Sequence, residues 1–367
     1  MYIHERKDWP EFRWDQAKLA PLLADVRHLQ GRLLGRMEAL GFQLREEATL
    51  QTLTLDVVKT SEIEGEKLDA HQVRSSLARR MGMDIGALPP IDRNVEGIVE
   101  IMLDATRNYA KPLTQERLFD WHAALFPTGR SGMRRITVGG WRTGESGAMQ
   151  VVSGPIGREK VHYEAPGHER LRKEMARFIK WCETPSDIDP VVKSALAHFW
   201  FVTIHPFEDG NGRIARAIAD MMLSRSEKSA QRFYSMSSQI QRERNAYYDV
   251  LERCQKGTLS LTQWLDWFLN CLKHALDSSE HILESVLVKA HFWKTHAGES
   301  FNERQRKVIN RMVDGFEGKL TSSKWAKLTK CSQDTALRDI SDLVARKILA
   351  KDEAGGRSTT YTLVTPQ

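Results

Sequence analysis

Apolar residues recur every three to four positions along most of this chain, and one dense run of glycines interrupts the pattern. Leu22, Leu23, Val26, Leu29, Leu33 and Leu34 mark a first helix, which Gly41 stops. A second helix is expected over about 44–64, with Leu50, Leu53, Val57 and Val58 as its buried stripe and Gly65 as its terminal cap. Two more are expected within 92–126. From Pro127 the character changes, as Gly129, Gly132, Gly139, Gly140, Gly144, Gly147, Gly154, Gly157 and Gly167 crowd in. Within this run 149–153 and 160–164 read as strands flanking the turn Gly154-Pro155-Ile156-Gly157, a hairpin. The expected fold class is mainly α, a helical core interrupted by one β-hairpin.

Helices resume at about 168–182 and 190–204, the latter with Val191, Val192, Ala195, Leu196, Phe199 and Val202 on its apolar side. Pro206 disfavours helical geometry at His205, so that helix should end there. Others are expected over about 212–223, 242–255 and 261–291. The last segment, 300–367, holds a helix with Val308, Ile309 and Met312 before Gly315, then helices at 322–329 and 334–347. Strand-like 348–351 and 359–364 follow, around 353–357. Three helices and a terminal hairpin spell a winged helix. A length of 367 residues argues for two or three domains. The expected boundaries are a helical region at 1–75, a catalytic core at 76–275, a connecting helix at 276–299 and the winged helix at 300–367.

The net charge of +6 suits nucleotides, nucleic acid or acidic partners and does not choose among them. Cys182, Cys254, Cys271 and Cys331 form no C-x-x-C pair and have no histidine at zinc-like spacing. A disulfide framework and a structural zinc are therefore not expected. No signal peptide is recognisable in 1–12, and no apolar run is long enough to span a bilayer. The expected location is cytoplasmic, with no membrane partner.

The chemistry is concentrated in His205-Pro206-Phe207-Glu208-Asp209-Gly210-Asn211-Gly212-Arg213-Ile214-Ala215-Arg216, between two apolar helices. Gly210 and Gly212 allow a tight turn whose backbone N–H groups make an anion nest. The next helix starts there, so its positive end points at the same spot. Arg213 and Arg216 fall on one face of its first turns. Nest, helix end and two guanidiniums make a polyphosphate site. Asp209 offers a hard oxygen for Mg²⁺ on that phosphate. His205 stands at the entrance as a candidate general base. It must be neutral to accept a proton, so the rate is expected to fall by pH 5.

These residues meet every specified position of H-P-F-x-[DE]-G-N-G-R-x-x-R, and in this the chain resembles the Fic family, over about 100–275. The resemblance implies a Fic-type helical core and transfer of AMP from ATP to Tyr, Thr or Ser hydroxyls of proteins, and of the chain itself. It implies that His205 takes the proton from the attacking hydroxyl and that Asp209 holds Mg²⁺. Gly210, Asn211 and Gly212 would form the anion hole, Arg213 and Arg216 would contact the β- and γ-phosphates, and Phe207 would anchor the loop. The hairpin becomes a flap over the site, with Gln150, Val151, Val152 and Ser153 on the nucleotide side and an edge that can register a target strand. Arg244-Asn245-Ala246-Tyr247-Tyr248 resembles the adenosine-contacting helix, with Gln255 two turns on as a further adenine contact. Tyr247 and Tyr248 are adjacent, so both cannot face the pocket equally.

Thr60-Ser61-Glu62-Ile63-Glu64-Gly65 matches the family's inhibitory pattern [ST]-x-x-x-E-[GN]. Glu64 would pair with Arg216, take the γ-phosphate position and misplace ATP. Some relatives use the same glutamate to remove AMP, and a homodimer is a further implication of the resemblance. Two other readings stand beside this one. The winged helix would make the chain a DNA-binding regulator, with 334–347 in a groove, Lys324, Lys327, Lys330 and Arg338 near phosphates and Gly355-Gly356-Arg357 as wing tip. The same module elsewhere docks proteins. Alternatively the Fic fold transfers another nucleotide, phosphocholine or a phosphate group.

Overall fold

The computed structural model describes residues 1–83, 92–145, 147–155, 158, 160–313, 318–352 and 359–364. Helices α1 (Gln16–Glu38), α2 (Phe42–Ile63), α3 (Ala70–Met81), α4 (Arg93–Arg107) and α5 (Gln115–Leu125) come first. Four short strands follow: β1 (Arg130–Ser131), β2 (Arg134–Arg135), β3 (Gln150–Ser153) and β4 (Lys160–Glu164). Then come α6 (Leu171–Glu183), α7 (Pro190–Ile204), α8 (Asn211–Glu227), α9 (Met236–Arg242), α10 (Arg244–Gln255) and α11 (Thr262–Thr295). The chain closes with α12 (Glu303–Val313), α13 (Ser322–Thr329), α14 (Gln333–Ala345), β5 (Leu349–Lys351) and β6 (Tyr361–Leu363). The fold is mainly α. The pairs β1–β2 and β3–β4 are antiparallel ribbons, and so is β5–β6. The β1–β2 ribbon and α9 are too short to set up a period in the sequence. Part of the flap turn (Ile156, Gly157), Gly315 and the wing tip Gly355-Gly356-Arg357 lie outside the described residues.

The chain divides into two compact units, Met1–Gly41 with Thr49–Ser279, and Phe42–Ala48 with Glu280–Gln367. In the first, α7 is buried on every side from Ser194 to Ile204. A helix apolar all round belongs in the middle of a core. Asp189 starts it by accepting the Val191 N–H at 2.8 Å, and Pro190 occupies the first turn, where a missing N–H costs nothing. It stops at His205, which adopts the left-handed conformation (φ 52°, ψ 59°) ahead of Pro206. The next helix, α8, packs along α7. The end of α2 is fixed against the same unit through Asp56, whose carboxylate accepts from the Ser235 hydroxyl and from the Ser237 N–H. In the second unit, Phe292, Val308, Ile309, Trp325, Ile340, Leu343 and Leu349 form the core. Thr321 and Ser332 cap α13 and α14. Leu349 pairs with Leu363, and Tyr361 also bridges Leu320.

Candidate active site

The loop joining α7 to α8 is held from three directions. The Phe207 ring is fully buried and stacks on His122 at 4.1 Å between centroids, the planes nearly parallel at 5°. Burial of a side chain of this size stabilises by about 1.5–3 kcal/mol. Asn211 clamps the turn: its Oδ1 accepts the Phe207 N–H at 3.0 Å, and its Nδ2 donates to the Phe207 carbonyl at 2.8 Å. The buried Arg142 donates from Nε to the His205 carbonyl at 2.8 Å and from Nη2 to the Pro166 carbonyl. The Gly139 N–H donates to His122 Nδ1, so the proton of that ring lies on Nε2 and points at the Asp209 carbonyl, 3.2 Å away. Burial lowers the His122 pKa to about 4, which keeps it neutral. His122 and Arg142 lie outside the motif, and nothing in their local sequence marks them.

Gly210 turns the chain with φ 79°, and α8 begins at the next residue. Its first N–H groups have no acceptor within the helix, and its dipole is positive there. Arg213 and Arg216 are only 5% and 2% exposed at this end. Arg216 Nη2 donates to Glu64 Oε1 at 2.7 Å and to the Thr60 carbonyl at 2.9 Å, and its Nε donates to Thr60 Oγ1 at 2.6 Å. Arg213 Nη1 donates to Glu66 Oε2 at 2.8 Å. A Cβ added at Gly212 would lie 2.1 Å from Glu64 Oε1, so the carboxylate rests directly on the helix end. Two guanidinium nitrogens, Arg216 Nη1 and Arg213 Nε, are buried without an acceptor among the described residues. Buried donors are nearly always paired, so these two suit anionic oxygens.

His205 is half-buried. Its Nδ1 lies 3.2 Å from the Val202 carbonyl, which can only accept, so Nε2 carries the free lone pair. Burial lowers its pKa to about 4, with the Val202 bond raising it and Arg142 lowering it again. The ring is therefore neutral at pH 5, and the acid fall in rate expected there moves down by about a unit. Asp209 Oδ1 accepts the Gly210 N–H at 2.6 Å, and Oδ2 accepts the Ser131 hydroxyl. No group of three or more acidic, histidine or cysteine side chains gathers as a metal cage among the described residues. One carboxylate beside an anion site fits Mg²⁺, which typically takes one or two carboxylates and completes its shell with phosphates and water.

Gln150 pairs with Glu164 and Ser153 with Lys160 across the β3–β4 hairpin, and the register shifts between Val151 and Val152. Gln150, Val152 and Ser153 are exposed and Val151 half-buried. The stem is tied down by Tyr163, whose buried hydroxyl donates to the Thr203 carbonyl at 2.8 Å, two residues before His205. On α10, Tyr247 faces the interior, with its hydroxyl 2.9 Å from His198 Nε2 and its ring against Trp264 and Trp267. Tyr248 is exposed and lies under the Arg244 guanidinium at 5.2 Å. Gln255 is buried, its Nε2 donating to Thr203 Oγ1 at 3.3 Å. Of these three, Tyr248 presents an open ring, while Tyr247 and Gln255 are spent on interior partners.

Residues 112–223 match the Fic/DOC family, and residues 2–83 match a domain of unknown function (DUF4172). A protein adenylyltransferase Fic of Drosophila yakuba is 31% identical over 132 residues, covering 35% of this chain and 25% of that protein. The protein of the same name from Drosophila mojavensis is 25% identical over 221 residues, 59% of this chain and 39% of its own length. The chain thus spans about a quarter of the first of these relatives and two fifths of the second. Among solved structures, a Fic family protein from Desulfovibrio desulfuricans matches with a TM-score of 0.55 at 20% identity, covering 98% of this chain and 99% of its own. A Fic domain containing signaling protein from Bacteroides thetaiotaomicron matches with a TM-score of 0.52, also at 20% identity, over 76% of this chain and 100% of its own. Residues 112–223 are thus similar to the Fic/DOC family, and the loop between α7 and α8 lies within them.

Proposed function

We propose that the chain is a protein adenylyltransferase that moves AMP from ATP to a Tyr, Thr or Ser hydroxyl, and that Glu64 holds it inactive. The observation that carries this is the pairing of a neutral His205, its Nε2 free, with two buried arginines that have donors to spare beside a helix N-terminus. In the proposed reaction His205 accepts the proton of the attacking hydroxyl. The helix end, with Gly210, Asn211 and Gly212, and Arg213 and Arg216, hold the charge that grows on the leaving pyrophosphate. Mg²⁺ on Asp209 would supply further neutralisation of that charge. The names of the relatives support the substrate class. Tyr248, Arg244 and the β3 edge are the groups we assign to adenosine and target.

The inhibitory role of Glu64 draws support from its carboxylate lying on Gly212 and Arg216, at the place where a terminal phosphate would have to bind. Glu66 on Arg213 adds a second anion to the same helix end. Removal of AMP by water activated at Glu64 is compatible with this geometry. The test is labelled ATP with Mg²⁺ and cell lysate: Glu64→Gly should transfer more AMP to lysate proteins than the unaltered protein, and Glu64→Gly/His205→Ala should transfer none to them. Equal labelling of Glu64→Gly and unaltered protein overturns the inhibition. Phosphate, phosphocholine or another nucleotide on the modified hydroxyl, read by mass spectrometry, overturns AMP as the group transferred.

We read 300–367 as a winged helix, 276–299 as its connector, 76–275 as the catalytic core and 1–75 as the regulatory region. Lys327 and Lys330 at the end of α13 favour an acidic partner for the winged helix, DNA or protein. DNA affinity of the full chain that falls steeply with salt would favour the first. No helix among the described residues is long and apolar enough to cross a membrane. Four free cysteines fit a reducing, cytoplasmic setting. A homodimer is a further expectation, checked by solution mass.

A further inference from the structure

The hairpin carries a second arrangement of reactive groups, apart from His205 and the loop between α7 and α8. His162 Nδ1 lies 2.5 Å from Glu252 Oε2 on α10, and His162 Nε2 lies 2.6 Å from Ser153 Oγ across the hairpin. An ionised carboxylate can only accept, so a ring proton sits on Nδ1, and in the neutral ring Nε2 offers its lone pair to the Ser153 hydroxyl. The Glu252 carboxyl is held down to about 2, first by the bond from Lys256 at 2.6 Å and then by the one to His162, so it stays ionised. Serine, imidazole and carboxylate thus stand in the order in which a base activates a nucleophile and a third group orients the base.

The backbone is bent to make this possible. Val151 pairs with Tyr163 and Val152 with Val161, so His162 is the extra residue of a β-bulge. Bulges of this kind re-aim a side chain. A tie between flap and α10 would need only His162 and Glu252. The structure adds an exposed hydroxyl at the end of β3, beside Gly154 with φ 104°. That hydroxyl belongs to the most exposed of the three residues, His162 and Glu252 being half-buried.

We propose that Ser153 is an acceptor of self-adenylylation, with His162 as its own general base and Glu252 as the positioning residue. The inference rests on the transferase reading, which supplies the electrophile, the α-phosphorus of ATP. Ser153 Oγ attacks that phosphorus, its proton passes to His162 Nε2, the bond to the bridging oxygen breaks, and pyrophosphate leaves with the electron pair. The product is a serine phosphodiester of AMP, formed in the same chain or delivered by a second copy. His162 here takes the part that His205 plays for a foreign target.

Two measurements test it. Full-length Glu64→Gly protein is incubated with Mg²⁺-ATP and cell lysate, and its peptides are mapped by mass spectrometry. AMP is expected on Ser153, falling by roughly a hundredfold when His162→Ala is added, the usual contribution of a positioned base. Labelled lysate proteins beside an unmodified Ser153, or Ser153 labelling indifferent to His162→Ala, overturn the inference and leave the transferase reading standing. Absence of AMP on every protein sinks that reading instead. The activation of Ser153 is then judged by a fluorophosphonate probe, which needs neither ATP nor the Fic loop. Unaltered protein should label at Ser153 and His162→Ala should not; no label on Ser153 overturns the activated nucleophile.

Discussion

Replacing Glu64 should release a definite amount of binding energy. Its carboxylate makes a 2.7 Å bond to a guanidinium that is 2% exposed, and it lies on the open end of α8. A hydrogen bond to a charged group is worth about 1.5–3 kcal/mol. A triphosphate that settles on Arg216 must displace that bond first. Deleting the carboxylate should therefore tighten nucleotide binding by roughly 10- to 150-fold, since each 1.4 kcal/mol is tenfold. The lower half of that range is favoured, because the Glu64 side chain keeps 30% of its surface in water. The internal control is Glu66, paired at 2.8 Å with Arg213 but 49% exposed. An exposed pair is worth about 0–1 kcal/mol, so Glu66→Gln should change binding by no more than about fivefold. Titration calorimetry with an ATP analogue that cannot be cleaved between the α- and β-phosphates reads both without turnover. If Glu64→Gly stays within about twofold of unaltered protein, or Glu66→Gln has the larger effect, the carboxylate is not what guards Arg216.

Three other outcomes follow from the same geometry. With Glu64→Gly protein, kcat/KM for transfer should be level from pH 7 to 5 and fall only as pH approaches about 4, because burial depresses the His205 pKa and the neutral ring survives further into acid; a midpoint near 6.5 would mean a solvent-exposed imidazole. Asn211→Ala removes both bonds to Phe207, leaves a buried N–H and C=O unpaired, and should cost about 2–4 kcal/mol, read as a lower melting temperature. An unchanged melt would show that the clamp is replaceable. Tyr248→Ala should raise KM for ATP with little effect on stability, whereas Tyr247→Ala should chiefly destabilise, since the second ring is buried among Trp264 and Trp267.

What could be read from the sequence was what is local in the sequence. The end of α7 at His205 follows from Pro206, and the start of α8 follows from the glycines beside it. The groups that hold this loop come from elsewhere: His122 is 87 positions from Asp209, Arg142 is 63 from His205, and Ser131 is 78 from Asp209. Nothing short-range marks them, because they are chosen by the packing of α5 and the glycine-rich segment onto the loop. Glu66 belongs with Glu64 for the same reason, 147 positions from Arg213. The adjacent tyrosines were ambiguous because helical geometry says that one must turn inward without saying which. The bulge at His162 left no trace either, since a single extra residue in a strand looks like ordinary alternation.

Arg216 belongs to two structures at once. It is built into α8, yet three of its hydrogen bonds end on Thr60 and Glu64 at the far end of α2. Any anion that claims this guanidinium loosens α2, and by thermodynamic reciprocity anything that lifts α2 strengthens the grip on the anion by the same factor. A partner gripping only the outer face of α2 could thus govern a site it never touches.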